Sequence, residues 1–254
     1  MSGIIPIGMA TFQPVGRMGN FLFKAASTIG YAMRNGIGYS VPGQTNDPKW
    51  NPVYMPHLVS QHFQPHLPTI RIREGRDFAF HELPFQQSWR SRNILLDGYW
   101  QSERYFAEYR EQVLRAFGFP WISMPGLVSV HVRRTDYLEL KHKHPEVTAP
   151  WYEAQMGKFD GARFRFFSDD IAWCQQQFGG RADVEFSVGR SEVQDLIDMS
   201  CCEHHICSAS TFAWWGAWLN RNAGKCIIMP KQWFMPGHGG LDTKDIVPSN
   251  WERA

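Results

Sequence analysis

Two adjacent arginines follow an apolar segment near the middle of the chain, where their charge has to be neutralised. Residues 129–132 (Ser-Val-His-Val) are predicted to form a strand that runs directly into Arg133 and Arg134. Guanidinium groups at a strand end need solvent or an acidic partner, and a diphosphate offers oxygens that match their planar donor forks. An ion pair with a carboxylate such as Asp136 explains the same pattern. The residues alone leave both interpretations open, and His131 is either a site residue or a hydrogen-bonded histidine of the core.

Polar residues also follow the next predicted strand, 163–167. Ser168, Asp169 and Asp170 come directly after it, and their oxygens accept hydrogen bonds from a ribose or from a base edge. The same residue types are equally typical of a helix N-cap. A divalent metal held between these carboxylates and a diphosphate is a weaker hypothesis, because two neighbouring acids are a small ligand set.

Two hydroxyl residues, Ser210 and Thr211, open a tryptophan-rich helix after the predicted strand 204–207. Helix N-termini bind anions, so these residues are predicted to hold a phosphate opposite Arg133, although Ser210 could also be only an N-cap.

The segment 201–207 (Cys-Cys-Glu-His-His-Ile-Cys) contains potential zinc ligands. Because alternate side chains of a strand diverge and no second ligand pair follows, the pattern favours a core strand over a zinc site.

Two loops are further candidates for ligand contact. Residues 16–20 (Gly-Arg-Met-Gly-Asn) form a predicted strand-to-helix turn in which glycine lets the backbone approach a ligand, but the full dinucleotide fingerprint is absent. Residues 141–144 (Lys-His-Lys-His) are typical of a solvated basic surface. Since this second loop lies just beyond the arginine pair, it could also fold over a bound nucleotide.

The elements that position these residues belong to an α/β fold. The first half begins with a predicted βαβ unit: a strand through Phe12, a helix at 20–34 and a strand at 37–41. Strands alternating with helices in the second half predict a mostly parallel sheet, and ligands bind beyond the carboxyl ends of such strands. We predict two Rossmann-like domains facing a cleft, 1–122 and 123–254. The other predicted strands are 69–73, 77–82, 93–97, 127–132, 184–188 and 226–229, and the other predicted helices are 102–117, 150–159, 171–178, 191–199 and 211–222.

Composition limits the classes of partner. The 254 residues carry a formal net charge of +2, which gives no reason to expect nucleic acid as a partner. Five irregularly spaced cysteines fit a reducing compartment better than a disulfide framework.

The start of the sequence lacks a basic region and Pro6 interrupts its apolar stretch, so a strand is expected there rather than a signal peptide. No apolar run approaches the roughly 18 to 20 residues of a membrane span. We therefore expect a soluble protein without a transmembrane segment, in the cytoplasm or at the membrane periphery.

Five segments together resemble the α-1,2-fucosyltransferases of glycosyltransferase family 11, in the family's order and over almost the whole chain. They are 16–20, 96–106 (Leu-Asp-Gly-Tyr-Trp-Gln-Ser-Glu-Arg-Tyr-Phe), 131–137 (His-Val-Arg-Arg-Thr-Asp-Tyr), 167–170 (Phe-Ser-Asp-Asp) and 210–219 (Ser-Thr-Phe-Ala-Trp-Trp-Gly-Ala-Trp-Leu). The resemblance implies a GT-B-like fold with an acceptor-side N-terminal domain and a GDP-sugar-binding C-terminal domain. It also implies inverting transfer of L-fucose from GDP-β-L-fucose to a hydroxyl, typically O2 of a terminal galactose of a glycan, without a metal or other cofactor.

The resemblance assigns Arg133 to the arginine that grips the donor diphosphate, and it places the loop of Arg17 and Asn20 opposite the Ser-Thr element. Together with the residue patterns above, it gives a full set of predicted donor-binding residues: Arg17, Gly19, Asn20, Arg133, Arg134, Ser168, Asp169, Asp170, Ser210 and Thr211. For the general base, the sequence leaves four candidates open, namely Asp136, His131, Asp97 and Glu103.

Departures from the family pattern concern the acceptor more than the donor. Phe21 stands where the family usually has Gln, and Thr135 replaces the usual Gly before Asp136. Ala209 and Ala213 replace polar residues around Ser-Thr-Phe. We expect Phe21 to alter acceptor contacts and Thr135 to stiffen a turn where glycine is permissive.

Overall fold

The computed structural model describes residues 7–42, 58, 64–75, 77–237 and 241–254. Backbone contacts divide the chain into a first unit, Met1–Phe119 with Leu241–Pro248, and a second unit, Pro120–Gly240 with Ser249–Ala254. Each unit contains one parallel sheet. The predicted α/β class is confirmed, and so is the GT-B-like feature of two units that are each built on a parallel sheet. The part of the predicted first strand before residue 7 lies outside the described residues.

The first unit has its sheet in the order β2-β1-β4-β3, with all pairs parallel. Helix α1 begins directly after the loop at Gly16 and buries nearly all of its residues, and it ends at Gly36, which adopts the left-handed conformation (φ 59°) that stops a helix. The elements are β1 (Met9–Phe12), α1 (Met18–Asn35), β2 (Gly38–Tyr39), β3 (Thr69–Arg73), β4 (Asn93–Asp97) and α2 (Arg110–Phe117).

The segment 241–248 returns to the first unit, whereas the sequence placed it in the second. The backbone N–H of Phe80 donates to the Asp245 carboxylate at 2.9 Å, and Arg104 pairs with the same side chain at 3.2 Å. The N–H of Phe78 donates to the carbonyl of Asp242 at 3.2 Å. Since these N–H groups bind residues 241–248 instead of a neighbouring strand, the predicted strand 77–82 is wrong.

The second unit has its sheet in the order β10-β9-β8-β5-β6-β7, again with all pairs parallel. The sequence missed the short helix α3 and the edge strand β10, because neither is long enough to show a period. The elements are β5 (Met124–Val132), α3 (Thr135–Glu139), α4 (Ala149–Met156), β6 (Arg163–Ser168), α5 (Ile171–Phe178), β7 (Val184–Phe186), α6 (Glu192–Cys201), β8 (Cys202–Ile206), α7 (Thr211–Leu219), β9 (Ile227–Met229) and β10 (Glu252–Arg253).

The core of the second unit forms around β5, whose residues from Leu127 to Val132 are all buried. A strand buried on both faces fits its place in the middle of a parallel sheet. Val128, Val130 and Phe166 pack in one cluster with residues of α4 and α5. Burying a side chain of this size contributes roughly 1.5 to 3 kcal/mol, so β5 is a rigid support for whatever follows Val132.

A buried polar network fixes β8 beside β5. Nδ1 of His205 lies 2.7 Å from Oγ of Ser129, and Nε2 of His205 lies 2.6 Å from Nδ2 of Asn220. The amide nitrogen of Asn220 also donates to the carbonyl of Cys202 at 2.7 Å. Because the amide nitrogen is a donor, Nε2 accepts and Nδ1 carries the proton, so His205 is a neutral part of the core.

We expect the second unit to lose stability as the pH falls below 6.5. Burial lowers the pKa of His205 to about 3 and that of His131 to about 4. Between these values and about 6.5 the unfolded chain binds protons that the folded chain does not, so each histidine removes about 1.4 kcal/mol per pH unit. Urea unfolding at pH 6.5, 5.5 and 4.5 measures the slope. His205→Gln should give a shallower slope, and an unchanged slope would contradict this assignment.

In the part of the chain that the structure describes, none of the helices combines the length and the apolar character that a membrane span requires.

Candidate functional site

The predicted phosphate-handling residues gather at the carboxyl edge of the second sheet. Strand β5 has β6 and β7 on one side and β8, β9 and β10 on the other, so the strand order reverses between β5 and β8. Ligands of open parallel sheets bind in the crevice at such a reversal. Arg133 directly follows β5 and Ser210 lies in the loop after β8. The two segments that the sequence selected therefore flank the expected crevice.

Arg133 is held by two carboxylates. Its Nε and Nη2 donate to Oδ1 and Oδ2 of Asp136, both at 2.8 Å, and its Nη1 lies 3.3 Å from Oδ2 of Asp169. The ion pair that the sequence left open is thus formed. The guanidinium carries five N–H groups, two of which donate to Asp136, and its side chain keeps 16% of its surface exposed. It is a partly exposed cation of fixed orientation at the reversal of the strand order.

Asp169 organises the loop that carries Arg133. Its carboxylate accepts from the backbone N–H of Arg134 at 3.0 Å and of Thr135 at 3.2 Å, and it also accepts from the Thr135 hydroxyl. Burial alone would raise the pKa of Asp169, but the Thr135 hydroxyl and the Arg133 charge together lower it below the usual value. The threonine that replaces the expected glycine therefore adds a hydroxyl donor that holds the turn.

Arg134 lies in a different environment from Arg133. Its guanidinium carbon is 4.1 Å from the centroid of the Trp173 ring, and its nitrogens pair with Asp170 and Glu146, both at 3.3 Å. Asp170 caps α5 by accepting from the N–H of Trp173. Arg134 therefore ties the loop after β5 to helix α5. Ser168 supports the same turn, since its hydroxyl accepts from the N–H of Asp170 at 2.9 Å.

The loop before α7 packs against the end of β5. Nδ1 of His131 lies 2.8 Å from the Ser208 hydroxyl, and the Tyr137 hydroxyl donates to the carbonyl of Ala209 at 2.7 Å. The Arg133 guanidinium carbon is 5.8 Å from the centroid of the Tyr137 ring. Tyr137 thus connects Arg133 to the loop that opens α7. Burial keeps His131 neutral by lowering its pKa to about 4, so in this structure it positions the loop.

Ser210 and Thr211 begin α7 as the sequence predicted. Ser210 is the N-cap, and its hydroxyl accepts from the N–H of Phe212 at 3.3 Å. Trp214 and Trp218 stack at 6.1 Å in the core, which confirms that the tryptophans of this helix are packing residues. The N-terminus of α7 lies beside the crevice between β5 and β8, where its N–H groups favour an anion.

The segment 201–207 spans the end of α6 and the core strand β8. Cys201, Cys202 and Cys207 are buried free thiols, and His205 belongs to the network described above. Among the described residues, no cluster of three or more His, Cys, Asp or Glu side chains has the geometry to hold a metal ion.

Arg17, Gly19 and Asn20 lie in the first unit, at the carboxyl end of β1. Arg17 is exposed and precedes α1, whereas Gly19 is buried within the helix. The side-chain oxygen Oδ1 of Asn20 accepts from Nε2 of Gln101 at 2.9 Å, which joins the first turn of α1 to the loop after β4. Phe21 is buried and packs edge-on against Phe12 at 5.4 Å, so the residue that replaces the expected glutamine belongs to the core.

The sequence missed two charged residues at the same edge of the first sheet, Lys24 and Glu74. Lys24 is buried in α1, and burial lowers its pKa to about 8 against the raising effect of Glu74 and Asp97. Burial likewise raises the pKa of Glu74, although the N–H groups of Tyr99 and Trp100 act in the opposite direction. A signal was present, because Glu74 directly follows the predicted strand 69–73 and Lys24 is an isolated cation in an apolar helix.

The two remaining candidates for the general base, Asp97 and Glu103, lie at the end of β4 and in the segment that follows it. Asp97 ends β4 and pairs with Arg73 at 3.4 Å and with Arg71 at 3.8 Å. Glu103 begins a 3₁₀ turn that is capped by the Ser102 hydroxyl. The predicted helix from Ser102 becomes regular only at Arg110, since two short 3₁₀ turns precede it.

Known proteins resemble this chain over most of its length. The sequence model of the family described as glycosyl transferase family 11 matches residues 7–252. The α-1,2-colitosyltransferase of Escherichia coli is 33% identical over 178 residues, which are 61% of this chain and 61% of that protein. The galactoside α-(1,2)-fucosyltransferase 2 of Hylobates lar is 23% identical over 250 residues, covering 84% of this chain and 69% of that protein. The chain thus spans less than two thirds of the length of the colitosyltransferase.

A solved structure also aligns with the chain. It is the α-1,6-fucosyltransferase NodZ soaked with GDP-fucose, with 16% identity and a TM-score of 0.44 over 84% of this chain and 92% of that chain.

Proposed function

This chain belongs to glycosyltransferase family 11, and we propose that it transfers an L-fucosyl group from GDP-β-L-fucose to O2 of a terminal galactose of a glycan. The observation that carries the proposal is the placement of Arg133. It is a partly exposed cation of fixed orientation at the reversal of a parallel sheet, beside the N-terminus of α7. Such a place suits the diphosphate of a nucleotide sugar.

The transfer is proposed to proceed with inversion at the anomeric carbon. The acceptor oxygen forms a bond to C1 of fucose while the bond from C1 to the diphosphate oxygen breaks, and GDP leaves with the electron pair. Arg133 and the N–H groups that begin α7 stabilise the charge that develops on the leaving diphosphate. The acceptor proton passes to a base late in the step. His131 is 96% buried by surface, so a carboxylate is the better candidate for this proton.

Asp136 supplies a switchable partner for Arg133 in this mechanism. It holds the guanidinium through two hydrogen bonds, and its own side chain keeps 36% of its surface exposed. If a phosphate oxygen replaced Asp136 in one of these hydrogen bonds, the exposed Asp136 carboxylate would be solvated by water. Arg133 can therefore bind a diphosphate without the large free-energy cost of leaving the Asp136 carboxylate buried and unpaired.

Transfer of a colitosyl group is the second candidate, because the E. coli relative at 33% identity is named for it. Colitose differs from L-fucose by the absence of the hydroxyl at C3. A site that hydrogen-bonds this hydroxyl rejects the deoxy sugar strongly, whereas an apolar pocket discriminates by only about 10² or less. The two donors therefore have to be compared directly.

A donor panel tests the proposal. The purified protein is incubated with GDP-fucose, GDP-colitose, GDP-mannose or UDP-galactose and a set of β-galactosides, and the product linkage is read by NMR. We expect an α-1,2-linked fucosyl galactoside. A product that forms only from GDP-colitose would select the second candidate, and transfer from UDP-galactose alone would overturn both.

We expect activity to be independent of divalent metal. Asp169 and Asp170 both bind protein donors, on Thr135 and at the start of α5, and these bonds occupy the carboxylates that a metal would need. Transfer rates measured with EDTA in large excess over trace metal ions should equal the rates measured without EDTA. Loss of turnover that Mg²⁺ or Mn²⁺ restores would instead assign the two carboxylates to a metal.

A further inference from the structure

We propose that the ring of Tyr99 is the platform on which the acceptor galactose stacks. The inference rests on the proposed function, since it assigns the acceptor of that reaction to one side chain of the first unit. It also assigns Glu74 as the residue that positions this ring.

Tyr99 lies where the first sheet reverses its strand order. Strand β1 has β2 on one side and β4 on the other, and Tyr99 belongs to the loop that follows β4. The loops after β1 and β4 meet at this point. Nζ of Lys24 lies 4.8 Å from the centroid of the Tyr99 ring and donates to the carbonyl of Val15 at 3.0 Å. The ring is therefore fixed beside the crevice in which open parallel sheets bind ligands.

The backbone beneath the ring is rigid. The two carboxylate oxygens of Glu74 accept from the N–H of Tyr99 at 2.6 Å and from the N–H of Trp100 at 2.8 Å. Trp100 has a φ of 55°, and it is the one non-glycine residue with a positive φ among those that the structure describes. A Cβ on Gly98 would lie 2.3 Å from Cβ of Glu74, so glycine is required for the carboxylate to reach this turn. Backbone strain of this kind is concentrated at functional sites.

This rigid turn presents an aromatic ring to solvent. Tyr99 keeps 38% of its surface exposed, whereas Trp100 beside it is 1% exposed. Lys24 is 3% exposed, so the ring face turned toward its ammonium group is the inner one. Val15 in the adjoining loop is 47% exposed and extends the apolar surface. A galactose ring has one face that carries C–H groups, and such a face stacks on an exposed aromatic ring.

Acceptor kinetics test the platform. At saturating GDP-fucose, Tyr99→Ala and Tyr99→Leu should raise the KM for a β-galactoside by about tenfold, while Tyr99→Phe should stay within about twofold of wild type. The Kd for GDP should not change in these variants. Glu74→Gln should raise the acceptor KM by a smaller factor, and Glu74→Asp should show partial recovery.

Tyr109→Ala is the matched control. Tyr109 also has a cation against its ring, since the Arg34 guanidinium carbon lies 6.0 Å from its centroid. Arg34 is in the last turn of α1, at the opposite end of that helix from the loop after β1. The control should keep the acceptor KM of wild type.

Saturation-transfer NMR with GDP and a β-galactoside reads the same contact without turnover. Signals on the C–H face of galactose that disappear in Tyr99→Ala and persist in Tyr99→Phe would support the platform, even if wild type transferred a sugar other than fucose. An acceptor KM and NMR signals in Tyr99→Ala equal to those of wild type would overturn it, as would a galactoside that does not bind at all. Equal losses in Tyr99→Phe and Tyr99→Ala would also overturn it, because they would assign the effect to the hydroxyl.

Discussion

Arg133→Ala is expected to lower kcat/KM for sugar transfer by about 10³-fold and to raise the Kd for GDP by at least about tenfold. The variant removes the cation that follows β5 at the reversal of the strand order, and it leaves Asp136 and Asp169 without their shared partner. The loss of rate comes from the charge that develops on the leaving diphosphate, so kcat falls as well as kcat/KM. Initial rates with GDP-fucose and calorimetric titration with GDP measure the two effects.

Arg181→Ala is the control for this prediction. Arg181 also pairs with an aspartate through two hydrogen bonds, to Asp183 at 3.0 and 2.6 Å, but it lies before β7 and away from the carboxyl edge. Its loss should leave rate and GDP affinity near wild type. Full activity of Arg133→Ala would remove Arg133 from the donor site and leave the ion pair with Asp136 as its whole role.

Asp136→Asn tests whether Asp136 only holds the Arg133 guanidinium or also accepts the proton of the acceptor. If Asp136 only holds the guanidinium and gives way to a phosphate oxygen, the amide variant binds GDP at least as well as wild type and its kcat does not fall. If Asp136 is the proton acceptor, kcat falls while the Kd for GDP stays the same. A comparison of the two constants separates these roles.

Asp169→Asn is expected to give the second largest effect, with a loss in kcat/KM of about 10- to 100-fold and in stability of about 1 to 3 kcal/mol. The carboxylate accepts from the N–H groups of Arg134 and Thr135 and lies against Arg133. The amide that replaces it has one accepting oxygen, so it leaves a donor of the loop without a partner and removes the charge beside Arg133. Rates and thermal unfolding should therefore fall together.

Asp183→Asn provides the control for this change in charge, since Asp183 pairs with Arg181 on the surface and its loss should cost little. A stability loss in Asp169→Asn without a change in rate would show that the loop tolerates rearrangement. In that case Asp169 would have no part in positioning Arg133.

Much of the fold could be read from local pattern. The alternation of apolar segments and helices after residue 126 predicted β5 to β9 with small errors at their ends, because strand and helix periods are set by nearest neighbours. The same holds for α1, which ends at Gly36 as its glycine indicates. Polar residues at strand ends located the edge of the second sheet where the candidate site lies.

The sequence by itself determined which residue types stand at the ends of the strands and offered Asp136 as a partner of Arg133, but it did not identify the more distant partners. Arg133 and Arg134 are adjacent and alike, yet one faces Asp136 and Asp169 while the other stacks on Trp173. Asp136 is only three residues from Arg133, but Arg134 and Asp170 are separated by 36 residues, so no local period reports that partner.

Only the tertiary structure decided which charged groups lie near one another. Lys24, Glu74 and Tyr99 come from three separate segments and meet because β1, β3 and β4 are parallel neighbours with their carboxyl ends at one edge. The return of 241–248 to the first unit has the same origin, in the hydrogen bonds of Asp242 and Asp245 with residues more than 160 positions away along the chain. Contacts between residues so far apart in the sequence depend on the packing of the whole unit. The order of the strands in the sheet sets their geometry, and the neighbouring residues in the sequence do not.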